Sequence, residues 1–387
     1  MYEWPLMKET INLLDKIGIC KFILFNTKYS KGKYVKAFEQ QWNKWLGTEY
    51  SVFVNSGSSA NLILVDCIKE LYGLQPGDKV LVPACTWSTN ISPIIQAGLT
   101  PIFCDINFKN FSFCKDHLKK LAEKHDIKMI FVTHLLGLPS DMDLLKQCFP
   151  NALVIEDCCE SHGALYHDQK VGTLSLGSTF SFYYGHHMTS VEGGIVSTNN
   201  YALYKLLLLK RSHGLARELP KNEYKAHAAQ HRDIDSRFLF LTTGYNFRPT
   251  EINAFIGLQQ LSRLDEYIRI RRDRFNQFAN LVMEKDLDKI INLPNSIGNS
   301  SFCFPFVFND KTRYKKFVSL LEENNIETRP IVGSNLTRQP FLASYNFDQT
   351  DFPNVNLLHE NGIYVGNNQF VDTKMVHALI GLLEDIQ

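Results

Sequence analysis

Ser181-Phe-Tyr-Tyr-Gly-His-His-Met-Thr-Ser-Val-Glu-Gly-Gly194 places two adjacent histidines between two strand-like runs. A serine and aromatics leave one strand, His186 and His187 follow, and a Glu-Gly-Gly turn leads into the apolar run Ile195 to Thr198. The histidines therefore sit on a loop fixed at both ends, and loops held by rigid strands commonly carry chemistry. An imidazole titrates close to neutrality, which suits proton transfer. It has no primary amine, so it cannot form a Schiff base with an aldehyde. No lysine occurs between Lys170 and Lys205, so no neighbour on the loop supplies one.

Upstream, the chain alternates short apolar strands with helical segments. Tyr50 to Val54 reads as a strand, Asn55-Ser56-Gly57-Ser58-Ser59 as a turn, and Ala60 to Leu71 as a helix. Backbone N–H groups and hydroxyls at such a helix start attract phosphate, although a plain helix cap looks the same. Further strands are expected at Val80 to Val82, Met129 to Thr133 and Ala152 to Ile155, with helices at Lys115 to Lys124 and Met142 to Gln147. Tyr34 to Leu46 is an amphipathic helix stopped by Gly47. This pattern predicts an α/β fold, a mainly parallel sheet with helices on both faces. Gly57, Ser58, Trp87, Asp157, Ser181 and His186 all fall at or just beyond the carboxyl ends of strands, where ligands of open sheets gather.

The 387 residues suggest two or three domains at ~150 residues each, and two are expected. A large domain spans 1–250. A smaller C-terminal α/β domain spans 251–387, opening with a long helix from Glu251 to about Met283. It continues with strands at Phe302 to Phe308, Ile326 to Arg329 and Gly362 to Val365, and helices at Thr312 to Asn324 and Asp372 to Leu383. Lys plus Arg total 41 against 40 for Asp plus Glu, so the charge balance calls for neither nucleic acid nor an anionic membrane. Nine cysteines without framework or metal-ligand spacing fit reduced thiols in a cytoplasm, with no metal expected. No apolar run approaches the ~20 residues of a membrane span.

Together these stretches resemble the DegT family of sugar-nucleotide aminotransferases, of the aspartate aminotransferase fold type, over nearly the whole chain. Asn55 to Asn61 is similar to the family's phosphate turn, His134 to Met142 to its His-x-x-Gly-x-Pro-x-Asp-Met stretch, and Gly244 to Glu251 to its Gly-Tyr-Asn-Phe-Arg segment. The family's cofactor lysine lies five residues after the serine of its Ser-Phe, where this chain has His186. The resemblance implies that the large domain binds the cofactor, with Gly57 and Ser58 in the phosphate turn and Glu160 and Ser181 also among the cofactor-binding residues. Trp87 would stack on the pyridine ring and Asp157 would pair with the ring nitrogen. It also implies a homodimer in which Asn246 reaches the phosphate of the partner's cofactor.

Histidine at 186 and Glu160 in place of the usual glutamine are features of the family's 3-dehydratase branch, which removes the C3 hydroxyl of nucleotide-linked 4-keto-6-deoxy hexoses. Gly333 to Pro340 is similar to that branch as well. One group within it carries an iron-sulfur cluster and a partner reductase, with closely spaced cysteines after a segment like His213 to Glu218. Here Leu219-Pro220-Lys221 follows and only Cys303 lies downstream of Cys159. The resemblance is therefore to the metal-free group acting on sugars of the GDP-4-keto-6-deoxy-D-mannose type, with no reductase expected. It implies non-covalent pyridoxal or pyridoxamine phosphate, L-glutamate as amino donor, and His186 as catalytic base. Arg217, Arg329 and Arg338 are the candidate substrate-binding residues. The rival readings are a nucleotide-sugar aminotransferase recruiting a distant lysine, and a non-catalytic binding protein of the same fold.

Overall fold

The computed structural model describes residues 3–387. Its strands are β1 (Tyr50–Val54), β2 (Lys79–Pro83), β3 (Thr100–Cys104), β4 (Ile127–Thr133), β5 (Leu153–Asp157), β6 (Leu165–Tyr166), β7 (Gln169–Lys170), β8 (Ser178–Ser181), β9 (Gly194–Thr198), β10 (Cys303–Val307), β11 (Thr328–Pro330) and β12 (Gly362–Gly366). Seven of them form one sheet in the order β1-β9-β8-β5-β4-β2-β3. All run parallel except β9, which pairs antiparallel with both neighbours. Helices cover both faces, so the strands read as continuous apolar runs. On β4, Met129 and Phe131 enter one core while Ile130 and Val132 enter the core on the opposite face.

A second, three-stranded antiparallel sheet, β10-β12-β11, backs a separate core. The alternating Phe304, Phe306 and Phe308 point into it and meet Phe275, Phe278 and Phe317. Trp4 joins the same core, stacking edge-on against Phe304 with ring centroids 6.2 Å apart.

Two local expectations differ from the structure. The long helix after Glu251 is two helices, Glu251–Leu261 and Leu264–Glu284. No proline or glycine marks the break. Arg263, at the junction, turns its guanidinium to the buried Asp15, with bonds of 3.1 and 2.6 Å to the two carboxylate oxygens. Strand β3 was not among the expected strands; it contains Pro101 and lies at the sheet edge, where proline is tolerated.

Glu251 also fastens the helix Lys33–Leu46, whose N-cap Gly32 offers no side-chain acceptor. Its buried carboxylate accepts the N–H groups of Gly32 at 2.7 Å, Val35 at 2.9 Å and Tyr34 at 3.0 Å. Glu251→Ala leaves these donors without their acceptor and should cost about 3 kcal/mol. A urea titration unchanged within about 0.5 kcal/mol would refute the cap.

Candidate active site

A cavity of about 480 Å³ opens at the carboxyl ends of the parallel strands, lined by Gly57, Ser58, Trp87, Asp157, Glu160, Ser181, His186 and Arg329. Each arrives there because a strand ends beneath it. The turn after β1 supplies Gly57 and Ser58, the one after β2 supplies Trp87, and those after β5 and β8 supply the remainder except Arg329, which comes from the second sheet.

The helix after β1 begins at Gly57, capped by Ser56, whose hydroxyl accepts the Ser59 N–H at 3.0 Å. Amides of the first turn have no partner inside a helix, so those of Gly57 and Ser58 are available to an anion. Glycine is required here by close approach. A Cβ at position 57 would lie 2.6 Å from that of Ser181.

Asp157, buried at the end of β5, is held by a network of directed bonds. Its Oδ2 accepts from the side-chain amides of Asn61 at 2.9 Å and Asn90 at 2.7 Å, and its Oδ1 from the Cys159 N–H at 2.9 Å. Hydroxyls orient both amides, Thr179 donating to the Asn61 carbonyl oxygen at 2.6 Å and Thr86 to that of Asn90 at 2.8 Å. Both amide nitrogens are thereby turned toward the carboxylate. Three donors thus converge on its two oxygens and fix the carboxylate in place, facing the cavity. The roles of Asn61 and Asn90 at Asp157 were not foreseen from the sequence. The available signal was position: Asn61 closes the phosphate-turn stretch and Asn90 lies in the first turn of the helix that follows Trp87.

Burial lowers the His186 imidazole to about 4, and the fully buried Arg271 guanidinium acts in the same direction, against the opposing charge of Asp157. At neutral pH this ring is uncharged and able to take a proton. Its Nδ1 has no protein partner. Burial raises the Glu160 carboxyl to about 7, although the Leu136 N–H donates to it at 3.0 Å. His187 faces the core instead, where its Nε2–H donates to the Ser300 carbonyl at 3.0 Å.

The other candidates stand apart from the cavity. Asn246 and Arg217 are exposed on neighbouring segments, and Arg338 pairs with Glu360 at 3.3 Å. No lysine lines the cavity among the described residues.

A model of the DegT/DnrJ/EryC1/StrS aminotransferase family matches residues 15–383. The GDP-4-keto-6-deoxy-D-mannose 3-dehydratase of Escherichia coli O55:H7 is 33% identical over 379 residues, covering 95% of this chain and 96% of the relative. A solved structure of the E. coli enzyme with bound hydrated PLP superposes with a TM-score of 0.89 at 31% identity, covering 99% of this chain and 100% of that one. Another, with a trapped PLP-glutamate geminal diamine, gives 0.89 at 30% identity and covers 98% and 100%. The fold is thus that of the PLP-dependent aminotransferases.

The electrostatics are open to direct measurement. Titrated by nitrogen-15 NMR, His186 should stay neutral down to about pH 5 and protonate near 4. Asp157→Asn removes the charge that favours the imidazolium and should lower that value further. A His186 titration near 6.5, its ordinary value, would refute the assigned environment.

Proposed function

The chain belongs to the DegT/DnrJ/EryC1/StrS aminotransferase family, and from that premise we propose a PLP/PMP-dependent dehydratase. It removes the C3 hydroxyl of a nucleotide-linked 4-keto-6-deoxy sugar of the GDP-4-keto-6-deoxy-D-mannose type, as in the relatives just described. L-Glutamate serves as amino donor, a reading supported by the PLP-glutamate adduct in one neighbour. The likeness to a lipopolysaccharide biosynthesis protein of Salmonella typhimurium fits a role in surface polysaccharide. One observation carries the reading: the cavity presents a neutral His186 where the family has its lysine.

The residues present fit the cofactor. The glycine-tight helix start at Gly57 and Ser58, with Ser181, would hold the phosphate, and the fixed carboxylate of Asp157 the ring nitrogen. Trp87, 54% exposed at the cavity rim, offers an unpacked indole face to the ring. Bound pyridoxamine phosphate supplies an amine for the sugar's C4 ketone and a ring that takes up the electron pair released beside it. With no lysine in the cavity, the cofactor is held without a covalent bond to the chain.

With that group bound, His186 would be the base that takes up a proton at the cofactor's C4′ carbon, and as imidazolium it would return one to the oxygen leaving C3. A neutral ring is needed for the first act, and burial provides it. Asp157, held by its three donors, would pair with the ring nitrogen. Glu160, close to neutral pH in its titration, holds a proton on the same wall. Arg329 is the cation of the cavity suited to the anionic nucleotide.

We assign the chain to a homodimer in which Asn246 serves the partner's site. Its exposure outside its own cavity supports this, as does the apolar face of the helix Leu13–Phe25. Leu13, Leu14, Leu24 and Phe25 are each 72% exposed or more. A second copy of the chain would cover that face.

His186→Ala should retain cofactor but lose turnover by at least ~100-fold. Each wild-type turnover should consume one glutamate, release one ammonia, and in heavy water place deuterium at C3 of a product that keeps its 4-ketone. Glutamate nitrogen found on C4 of a sugar retaining its 3-hydroxyl would overturn the dehydratase in favour of an aminotransferase. Mixing His186→Ala with Asn246→Asp chains should create one intact site per mixed dimer and restore part of the activity. No recovery in verified mixed dimers would refute the shared site.

A further inference from the structure

Met7 reaches the cavity from the N-terminal segment rather than from a strand end. That segment is tied to the second sheet. The Trp4 indole N–H donates to the Gly366 carbonyl at 2.9 Å, the Glu327 N–H to the Trp4 carbonyl at 2.9 Å, and the Leu6 N–H to the Glu327 carboxylate at 2.9 Å. Leu6 itself is buried in the core of the large sheet, so the strap spans both units and fixes the residue that follows. Met7 then lies against Gly185, the residue before His186. A methyl group built on Gly185 would overlap the Met7 sulfur and its terminal methyl.

Gly185 has no positive φ to explain it, and the space a side chain would take there is filled by the end of the Met7 side chain. Any side chain there would expel the thioether from the cavity wall. Methionine is unbranched and fits an irregular apolar gap. The sugar named in the proposed function has one apolar substituent, the C6 methyl next to C5. A C6 hydroxyl against the thioether would lose its water without gaining a partner.

We propose that Met7 is a substrate-contacting residue, whose thioether forms the apolar wall for the sugar's C6 methyl and reaches it because position 185 is glycine. The identity of the sugar group rests on the dehydratase reading, whereas the fit between positions 7 and 185 does not.

Four variants test it: Met7→Ala, Met7→Leu, Gly185→Ala and the double Met7→Ala/Gly185→Ala. With the GDP-linked 4-keto-6-deoxy substrate, Met7→Ala should raise KM about 10-fold, the scale of one lost apolar contact in a pocket, with kcat within about threefold. Its preference over the 6-hydroxy analogue should shrink by a similar factor, and Met7→Leu should retain both. Gly185→Ala should lower Tm and raise KM, and adding Met7→Ala should recover the Tm, since the overlap is gone. An unchanged KM in Met7→Ala overturns the substrate contact even where the Tm rescue is seen. Additive Tm losses overturn the fit between the two positions. A wild-type protein inactive on every 4-keto sugar, with the Tm rescue intact, places the failure in the dehydratase reading and removes the C6 contact with it.

Discussion

A buried carboxylate with three fixed donors organises this molecule. At the end of a central strand, two asparagines and a backbone N–H stand in for water around the Asp157 carboxylate. Those asparagines lie on different helices, and their orientation depends on Thr179 and Thr86. The helix after β1, the turn after β2 and the strands β5 and β8 are therefore all registered to one pair of oxygens. A shift of any one element would leave a buried charge short of a donor, which costs several kcal/mol.

The same burial works in opposite directions on the groups around it. Burial moves the Glu160 carboxyl, with its one backbone donor, up to about 7, and moves the His186 imidazole down to about 4. One wall of the cavity thus carries a carboxylate held by three donors, a group near its titration midpoint and a neutral base. Pairs of titratable groups driven apart by their surroundings are how acid and base work is divided at neutral pH. Arg271 contributes from behind. It is buried without a carboxylate partner, bonded to the carbonyls of Phe302 and Asn367, and its charge opposes protonation of the histidines near it.

The cavity is also a joint between the two sheets. Its floor belongs to the large sheet, while Arg329, Pro330 and Tyr364 come from the small one. The N-terminal strap crosses between the same two units, with Trp4 in one core and Leu6 in the other. A substrate seated there would touch both, so the relative placement of the sheets and the shape of the site are set by the same contacts.

Much of the strand order was legible in the chain because those strands are buried on both faces or alternate strictly. Tyr50–Val54 and Phe302 to Phe308 declare themselves in that way. The absence of an amine at position 186 was equally legible, since it is a matter of covalent chemistry and needs no fold. Local pattern failed where a distant partner decides the geometry. The break at Arg263 answers to Asp15, 248 residues away, and the N-terminus of the helix Lys33–Leu46 answers to Glu251. Sequence alone could name His186 and Asp157 but could not say that one is neutral and the other held by three donors. Protonation follows from burial and from neighbours brought together across the fold, and only the tertiary structure supplies them.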